Sequence, residues 1–229
     1  MIKPPILITG CARSGTSMTA GVVNICGAWG GECSGPTRYN KRGMFENAGI
    51  RNNLIKPLLR AMGVDPMGQY PLPDPNHITI QNGNAEQWRN SILRHMRREG
   101  LKDDQPWFYK GAKLCLIWPL WHRAFPDAKW IIIRRADEGI INSCLKTSFM
   151  HAFDNAEGWQ WWVNQHKLRF REMYESHLNM VVTYPAKMIA GDFSEMESVI
   201  DWLGLTWDER QVKEFISPDL WHHKEKVNA

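Results

Sequence analysis

Short apolar runs alternate with longer amphipathic stretches along most of the chain. Each run is rich in Ile, Val or aromatic residues and is followed by a break or a polar segment, which is typical of buried strands. The pattern predicts four strands, at Pro5–Thr9, Trp107–Lys110, Lys129–Arg134 and Asn179–Thr183.

Between these runs, apolar residues recur at helical spacing. The clearest case is one stripe of six residues, made by Trp159, Trp162, Val163, His166, Phe170 and Met173. Helices are predicted at Ser17–Ala28, Asn47–Met62, Ala85–Glu99, Glu138–Phe149, Glu157–His177, Ser194–Leu203 and Asp208–Ile216. Strands that alternate with helices predict an α/β fold with a mostly parallel sheet.

The segment Gly63–Gly83 interrupts this alternation, because it is rich in Pro, Gly, Asp and Asn. We expect a long irregular loop there, of the kind that forms a lid or a binding loop. There is no internal repeat and no break in composition, so residues 1–229 are predicted to form one domain.

Composition limits the classes of partner. The chain has 28 Lys and Arg against 24 Asp and Glu, a net charge of +4. This mild excess suits a phosphorylated or sulfated small ligand, and it is too weak to indicate a nucleic-acid partner. Twelve tryptophans are present among 229 residues. Composition alone does not say whether their rings fill the core or line a pocket.

The cysteines and the apolar runs suggest a compartment. Cys11, Cys26, Cys33, Cys115 and Cys144 are odd in number, scattered and without a CxxC pair. This favours reduced thiols over disulfides or a zinc site. No apolar run approaches the roughly 20 residues of a membrane span. We therefore expect a soluble, cytoplasmic protein with no membrane partner.

The stretch from the first strand to the next helix carries the clearest chemistry. Gly10 and Gly15 are separated by four residues, as in a phosphate-binding loop, where backbone N–H groups and a helix N-terminus converge on an anion. Side-chain donors and a fixed positive charge stand in the same loop, at Ser14, Thr16, Ser17 and Arg13. A nucleoside-triphosphatase loop has Lys at the position of Thr16, so the main counter-charge for the β- and γ-phosphates is missing.

Other polar residues follow the later strands. Arg135 comes directly after the third strand, and Ser143 lies eight residues further, about two turns into the next helix. That pair suits a second phosphate. Lys110 ends the second strand, at the carboxyl edge where open α/β sheets bind ligands, with Lys113 a second cation nearby.

These segments, in this order, resemble the sulfotransferases that use 3′-phosphoadenosine 5′-phosphosulfate (PAPS), in particular the bacterial-type and tyrosylprotein branches. Gly10–Ser17 is similar to their 5′-phosphosulfate loop, G-x-x-R-S-G-T-[ST]. Arg135 and Ser143 match the pair that binds the 3′-phosphate, and Lys110 matches the Lys of a K-D-P-x-L motif. The resemblance implies a three-layer fold like that of P-loop nucleoside triphosphate hydrolases, with a central parallel sheet flanked by helices.

The resemblance also implies roles. Arg13 and Lys110 would stabilise the leaving phosphate, and Glu46, in a stretch similar to the family's G-[YFM]-[FW]-E, would be the catalytic base. The donor-binding positions would be Cys11, Ala12, Arg13, Ser14, Gly15, Thr16, Ser17, Arg135, Ser143 and Tyr184. The products would be adenosine 3′,5′-bisphosphate and a sulfated small molecule, glycan or peptide, without a metal. Acceptor specificity would lie in the segments 30–42, 63–83 and 149–162.

Several alternatives stay open. Gly111-Ala112 and Ala136-Asp137 replace two Asp-Pro pairs of the family, which keeps a non-catalytic PAPS- or nucleotide-binding protein in view. A P-loop small-molecule kinase is the other candidate.

The site residues also carry alternatives. Glu46 could instead be a first-turn carboxylate that favours the helix dipole. His77 and His151 are the next candidates for the base. If Glu46 is buried in an apolar site, its pKa is expected to rise. Trp161 lies off the apolar stripe and is predicted to line the acceptor site.

Overall fold

A four-stranded, fully parallel sheet forms the centre of the protein. The structure, a computed structural model, describes residues 1–74 and 84–216. The strands are β1 (Ile6–Gly10), β2 (Phe108–Lys110), β3 (Lys129–Ile133) and β4 (Met180–Thr183), in the spatial order β2-β1-β3-β4. The predicted α/β class is confirmed, and all four predicted strands are present within one or two residues of their predicted ends.

The helices connect successive strands. Within the described ranges they are α1 (Thr16–Ile25), α2 (Ala48–Ile50), α3 (Lys56–Ala61), α4 (Ala85–Glu99), α5 (Trp118–Ala124), α6 (Asp137–Leu145), α7 (Ala156–Glu175), α8 (Pro185–Ile189), α9 (Ser194–Leu203) and α10 (Glu209–Phe215). A 3₁₀ helix, Ala112–Ile117, precedes α5. None of these helices is both long and apolar enough to cross a membrane.

Side chains that alternate along the central strands fill two apolar layers. Leu7 and Trp130 belong to one cluster of buried residues, whereas Ile6, Ile8 and Ile131 belong to the other. Because successive residues of a strand point to opposite faces, a sheet covered on both faces needs apolar residues at nearly every position. This explains why the strands were predicted from unbroken apolar runs, and it confirms helices on both faces of the sheet.

Most of the tryptophans belong to the core. Five of them are fully buried: Trp107, Trp121, Trp130, Trp159 and Trp162. All six residues of the predicted stripe on α7 are buried as well. Indole rings therefore supply much of the apolar area that the two layers bury.

The structure departs from the predicted elements at prolines. The predicted helix Asn47–Met62 contains a π-helical turn, Arg51–Ile55, between α2 and α3. Pro57 follows it and has no N–H to continue the α-helical ladder. The helices α5 and α8 were not predicted; each has a proline in its first turn, Pro119 or Pro185, where the missing N–H costs no helical hydrogen bond.

Two of the predicted helices end three or four residues early. The helix predicted at Ser17–Ala28 begins at Thr16 and ends at Ile25. That predicted at Glu138–Phe149 ends four residues early, at Leu145. In the predicted loop 63–83, residues 63–74 contain turns and bends only, and residues 75–83 lie outside the described residues.

A substitution at Gly10 tests how closely the end of β1 packs against β3. A Cβ atom at this position would lie 2.7 Å from the carbonyl oxygen of Ile133 and 2.8 Å from the Oγ of Ser14. We expect Gly10→Ala to lower the free energy of unfolding by about 1–3 kcal/mol, measured by urea denaturation, because the added methyl group overpacks the turn. Gly35→Ala is the control, since nothing lies within 4 Å of its Cβ position. Equal stability of the two variants would contradict the predicted contact.

Candidate active site

The loop between β1 and α1 turns tightly around its own backbone. The N–H and the Oγ of Ser14 both donate to the carbonyl oxygen of Cys11, at 3.2 and 2.7 Å. Arg13 (φ 71°) and Gly15 (φ 98°) both adopt left-handed backbone conformations. For arginine this conformation is uncommon, and such strain is concentrated at functional sites. The loop delivers the chain to the N-terminus of α1, where the first N–H groups have no partner within the helix.

A cavity of about 470 Å³ opens in front of this loop. The loop contributes Ala12, Arg13, Gly15, Thr16 and Ser17 to its lining. The side chains of Cys11 and Ser14 are instead buried in the turn behind the lining. All three segments expected to carry acceptor specificity reach the cavity: residues 37–42, residues 67–69, and Phe149, Met150 and Trp162.

The residues assigned to the two phosphate positions are brought together. The Nε of Arg13 donates to the Oγ of Ser143 at 2.9 Å, across 130 residues of sequence. The Nη1 of Arg135 donates to the carbonyl oxygen of Arg13 at 3.0 Å. All three residues line the cavity. The β1 loop, the end of β3 and the second turn of α6 therefore form one hydrogen-bonded unit.

A buried carboxylate lies among cations on the other side of the loop. Glu46 is only 6% exposed, and its Oε2 lies 3.6 Å from the Nη1 of Arg51. Its Oε1 has no hydrogen-bond partner among the described residues. Lys110, 3% exposed, and Lys113, 9% exposed, face the same cavity.

The charges of these neighbours control the ionisation of Glu46. Burial pushes its pKa upward, as expected from the sequence. The ammonium groups of Lys113 and Lys110, and then the Arg51 guanidinium, outweigh burial and hold the pKa below its ordinary value. The expected rise in pKa is therefore wrong, because the site is buried but not apolar. Glu46 is a carboxylate at neutral pH.

Asn47 fixes the backbone next to Glu46. Its Oδ1 accepts from the N–H of Ile50 at 2.9 Å and caps α2, while its Nδ2 donates to Glu99 of α4 at 2.6 Å. His95, one turn earlier on α4, pairs with the same carboxylate at 2.8 Å. The helix that begins after Glu46 is thus fastened to α4, which holds the carboxylate at the cavity wall.

Comparison with solved structures identifies the fold. A sulfotransferase from Mycobacterium avium aligns with a TM-score of 0.59 and 14% identity, over 98% of this chain and 69% of its own. The sulfotransferase domain of the Synechococcus PCC 7002 olefin synthase aligns with a TM-score of 0.54 and 16% identity, over 97% of this chain and 84% of its own. The sulfotransferase domain of the curacin biosynthetic pathway aligns with a TM-score of 0.52 and 13% identity, over 98% of this chain and 82% of its own. The chain has a sulfotransferase fold.

At such low identity the likeness concerns the fold alone. No family model and no curated protein matches the sequence. The three-layer, P-loop-like architecture expected from the resemblance is confirmed by these sulfotransferase structures.

Three residues considered for the site lie elsewhere, and a fourth falls outside the described residues. Tyr184, 47% exposed, begins α8 and is not part of the described cavity lining. Trp161, 40% exposed, packs against Tyr70 and Phe153 outside the cavity, so the expectation that it lines the site is wrong. His151 is exposed and does not line the cavity, and His77 falls outside the described residues.

The cavity wall contains residues that the sequence did not mark as functional. Trp162, the neighbour of Trp161, is buried and lines the cavity. His166 lies one turn further, with its Nδ1 2.9 Å from the carbonyl oxygen of Trp162 and its Nε2 without a partner among the described residues. Burial lowers the pKa of His166 to about 4, so its ring is neutral. Both residues belong to the apolar stripe of α7, so their spacing in the sequence is the same as that of core residues that do not contact a cavity.

A segment between α1 and α2 closes another side. The Arg38 Nη2 lies 2.6 Å and the Tyr39 hydroxyl 2.5 Å from the Oγ of Ser148. The Tyr39 ring also packs edge-on against Phe149. This segment had no recognisable motif, and its contacts with Ser148 and Phe149, just after α6, place it over the cavity.

The described residues offer no obvious place for a metal ion. They contain no group of three or more His, Cys, Asp or Glu side chains placed to hold one. Asp137, at the start of α6, is bonded to Lys167 and Gln160 and does not line the cavity. Glu46 is the one carboxylate among the described lining residues.

The lowered pKa of Glu46 predicts a pH-dependent contribution to stability. An ionised Glu46 stabilises the fold above its unfolded pKa, near 4.5, and this contribution is lost as the pH falls through the lower folded pKa. We expect the difference in unfolding free energy between the wild type and Glu46→Gln to shrink below about pH 4.5. Urea denaturation from pH 7 to pH 3 measures it. Titration of His166 is common to both proteins and cancels. A difference that grows on acidification would contradict the lowered pKa.

Proposed function

We propose that the protein is a PAPS-dependent sulfotransferase that transfers a sulfuryl group in line to a hydroxyl or amine acceptor. The observation that supports this most is the unit formed by Arg13, Ser143 and Arg135. It joins the two phosphate-binding segments at one cavity, with the Arg13–Ser143 bond at 2.9 Å. A nucleotide with phosphates on both its 5′ and 3′ positions suits such an arrangement.

The residues present fit this donor. The N-terminus of α1, with Gly15, Thr16 and Ser17, would hold the 5′-phosphosulfate, and Arg135 and Ser143 would hold the 3′-phosphate. Thr16 in place of Lys matches a donor without a β/γ-phosphate pair. PAPS supplies the sulfuryl group, with the bisphosphate as leaving group.

The protein's contribution is charge placement and a base. Arg13 and Lys110 would stabilise the negative charge that develops on the bridging phosphate oxygen. Glu46, ionised and at the cavity wall, would accept the proton of the acceptor hydroxyl or amine. Lys113, Lys110 and Arg51 keep that carboxylate ionised before the acceptor arrives. The segment held by Tyr39 and Ser148 would limit the access of water.

Two other functions receive less support. A kinase would require a carboxylate for Mg²⁺ beside the phosphate loop, and Glu46 already faces Arg51, Lys110 and Lys113. A binding protein without chemistry would have no need of a buried carboxylate among buried lysines. Calorimetric titration with PAPS and with ATP distinguishes a sulfotransferase from a kinase, because we expect the protein to bind PAPS and not ATP. Transfer of radiolabelled sulfate from PAPS to any member of an acceptor panel distinguishes a sulfotransferase from a binding protein, which would transfer none.

The proposal includes a cytoplasmic location. All five cysteines are free. Cys11 and Cys115 are deeply buried, and burial raises the pKa of both thiols. Free thiols are typical of a reducing compartment.

Substitution of either cation tests the charge assignment. We expect Arg13→Ala and Lys110→Ala each to reduce sulfate transfer by about 10²–10³-fold, the usual cost of losing one group that stabilises transition-state charge. Transfer from radiolabelled PAPS gives the rate, and thermal unfolding checks the fold. Lys213→Ala, an exposed lysine paired with Glu209, is the control and should keep the wild-type rate. Wild-type rates in both test variants would refute their roles.

The base is tested by turnover and by its pH dependence. Glu46→Gln should lose turnover but keep its affinity for adenosine 3′,5′-bisphosphate, because the proton acceptor is removed and the phosphate sites are not. Arg51→Gln should move the acid limb of the pH–rate profile to higher pH, since one of the cations that lower the pKa of Glu46 is lost. Unchanged turnover in Glu46→Gln would place the base elsewhere.

A further inference from the structure

The cavity carries far more positive than negative charge. Its described lining residues include nine arginines and lysines: Arg13, Arg38, Lys41, Arg42, Arg51, Lys56, Lys110, Lys113 and Arg135. Glu46 is the single carboxylate among them. The whole chain has a net charge of only +4, so this excess is local to the cavity.

Several of these cations already have a partner. Arg51 pairs with Glu46, Arg38 donates to Ser148, and Arg42 donates to the carbonyl oxygen of Glu214. In the proposed function, the PAPS donor engages Arg13, Lys110 and Arg135. These assignments leave Lys41, Lys56 and Lys113, of which Lys41 is exposed, so Lys56 and Lys113 are the remaining cations that are at least half-buried.

Lys56 and Lys113 lie close enough to repel each other. Burial lowers the pKa of Lys56, and the charge of Lys113 lowers it further, followed by those of Arg51 and Arg60. Neither lysine makes a hydrogen bond or a close ion pair within residues 1–74 and 84–216, although the charge of Lys113 acts on Glu46. One carboxylate offsets only part of the positive charge around it, so an anion bound between the two lysines would reduce the remaining repulsion.

The stem of Lys113 is part of an apolar wall. A Cβ atom at Gly68 would lie 3.0 Å from both the Lys113 Cγ and the Leu116 Cδ1, so the chain at Gly68 packs directly on this side chain. The carbonyl oxygen of Gly68 in turn accepts a hydrogen bond from the Trp162 Nε1 at 2.9 Å. Met67 and Met150 line the same cavity as Lys113.

We propose that the acceptor is itself an anion, whose carboxylate, phosphate or sulfate group binds between Lys113 and Lys56. Its apolar body packs on the wall of Met67, Leu116 and Trp162, and its hydroxyl or amine is presented to Glu46. This inference rests on the proposed function, because it takes the remainder of the cavity to be the acceptor site.

Matched phenols test the proposal by binding, with no need for turnover. The protein is first saturated with adenosine 3′,5′-bisphosphate and then titrated calorimetrically with 4-hydroxyphenylacetate, 4-hydroxybenzylphosphonate and the neutral 4-hydroxyphenylacetamide. We expect at least one of the two anions to bind about 10-fold or more tightly than the amide, as for a desolvated charge pair. The carboxylate and the phosphonate separate the two sources of negative charge.

Variants then locate the anion. In Lys113→Gln the preference for the anion should fall to less than about twofold, while the affinity for the bisphosphate stays at the wild-type value. Lys56→Gln should also weaken the preference for the anion. Because Lys56 is only half-buried, this variant still tests the proposal if Lys113→Gln does not fold. Lys146→Gln removes the same charge from an exposed position outside the cavity and should leave the preference unchanged.

Three results would overturn the inference. They are equal or tighter binding of the amide, no binding of any phenol at millimolar concentration, and a loss of bisphosphate affinity in Lys113→Gln. The last would assign this lysine to the donor. Failure of the wild-type protein to bind the bisphosphate at all is measured first, and it would refute the proposed function instead.

Discussion

The parallel pairing of β1 with β2 on one side and β3 on the other is the constraint on which the site depends. Leu7 lies opposite both Tyr109 and Trp130, so the three strands run in register and end at the same edge of the sheet. Polar residues of the site lie at this edge: the glycine loop follows β1, Lys110 ends β2, and Arg135 follows β3. Carboxyl ends of parallel strands are where open α/β folds bind ligands.

Packing of the loop against the sheet adds precision to this arrangement. Gly10 allows the loop to approach Ile133 and Ser14 more closely than any side chain would permit. The close approach places the main chain at Arg13 where Arg135 can donate to it, and the Arg13 side chain where it reaches Ser143. A sheet contact and two hydrogen bonds thus position charges that are more than 120 residues apart in sequence.

The electrostatics of the cavity arise from burial as much as from composition. Glu46 keeps a low pKa because Lys113, Lys110 and Arg51 surround it, although burial alone would raise it. The carboxylate is therefore both buried and ionised, and in the proposed function it accepts the proton of the acceptor. The surrounding cations remain in excess, which is why an anionic acceptor suits the same cavity.

Some residues can be chosen from a short segment of sequence because their conformation depends on that segment alone. The glycine loop, the strand-end Lys110 and the Arg135–Ser143 pair depend on backbone conformation and spacing within one or two elements, and the structure brings these residues together at one cavity. Trp161 shows the opposite case. Helical periodicity places it off the apolar stripe, but that periodicity cannot tell whether the side it faces is solvent, an aromatic neighbour or a cavity.

The sequence by itself determined the α/β class, the order of the four strands along the chain and the position of the glycine loop, because apolar periodicity and glycine spacing are local properties. Only the tertiary structure decided which charges share a cavity. Lys56, Lys113, Trp162 and His166 come from three separate elements. Their role depends on long-range packing, and the ionisation of Glu46 depends on neighbours that lie up to 67 positions away in the chain.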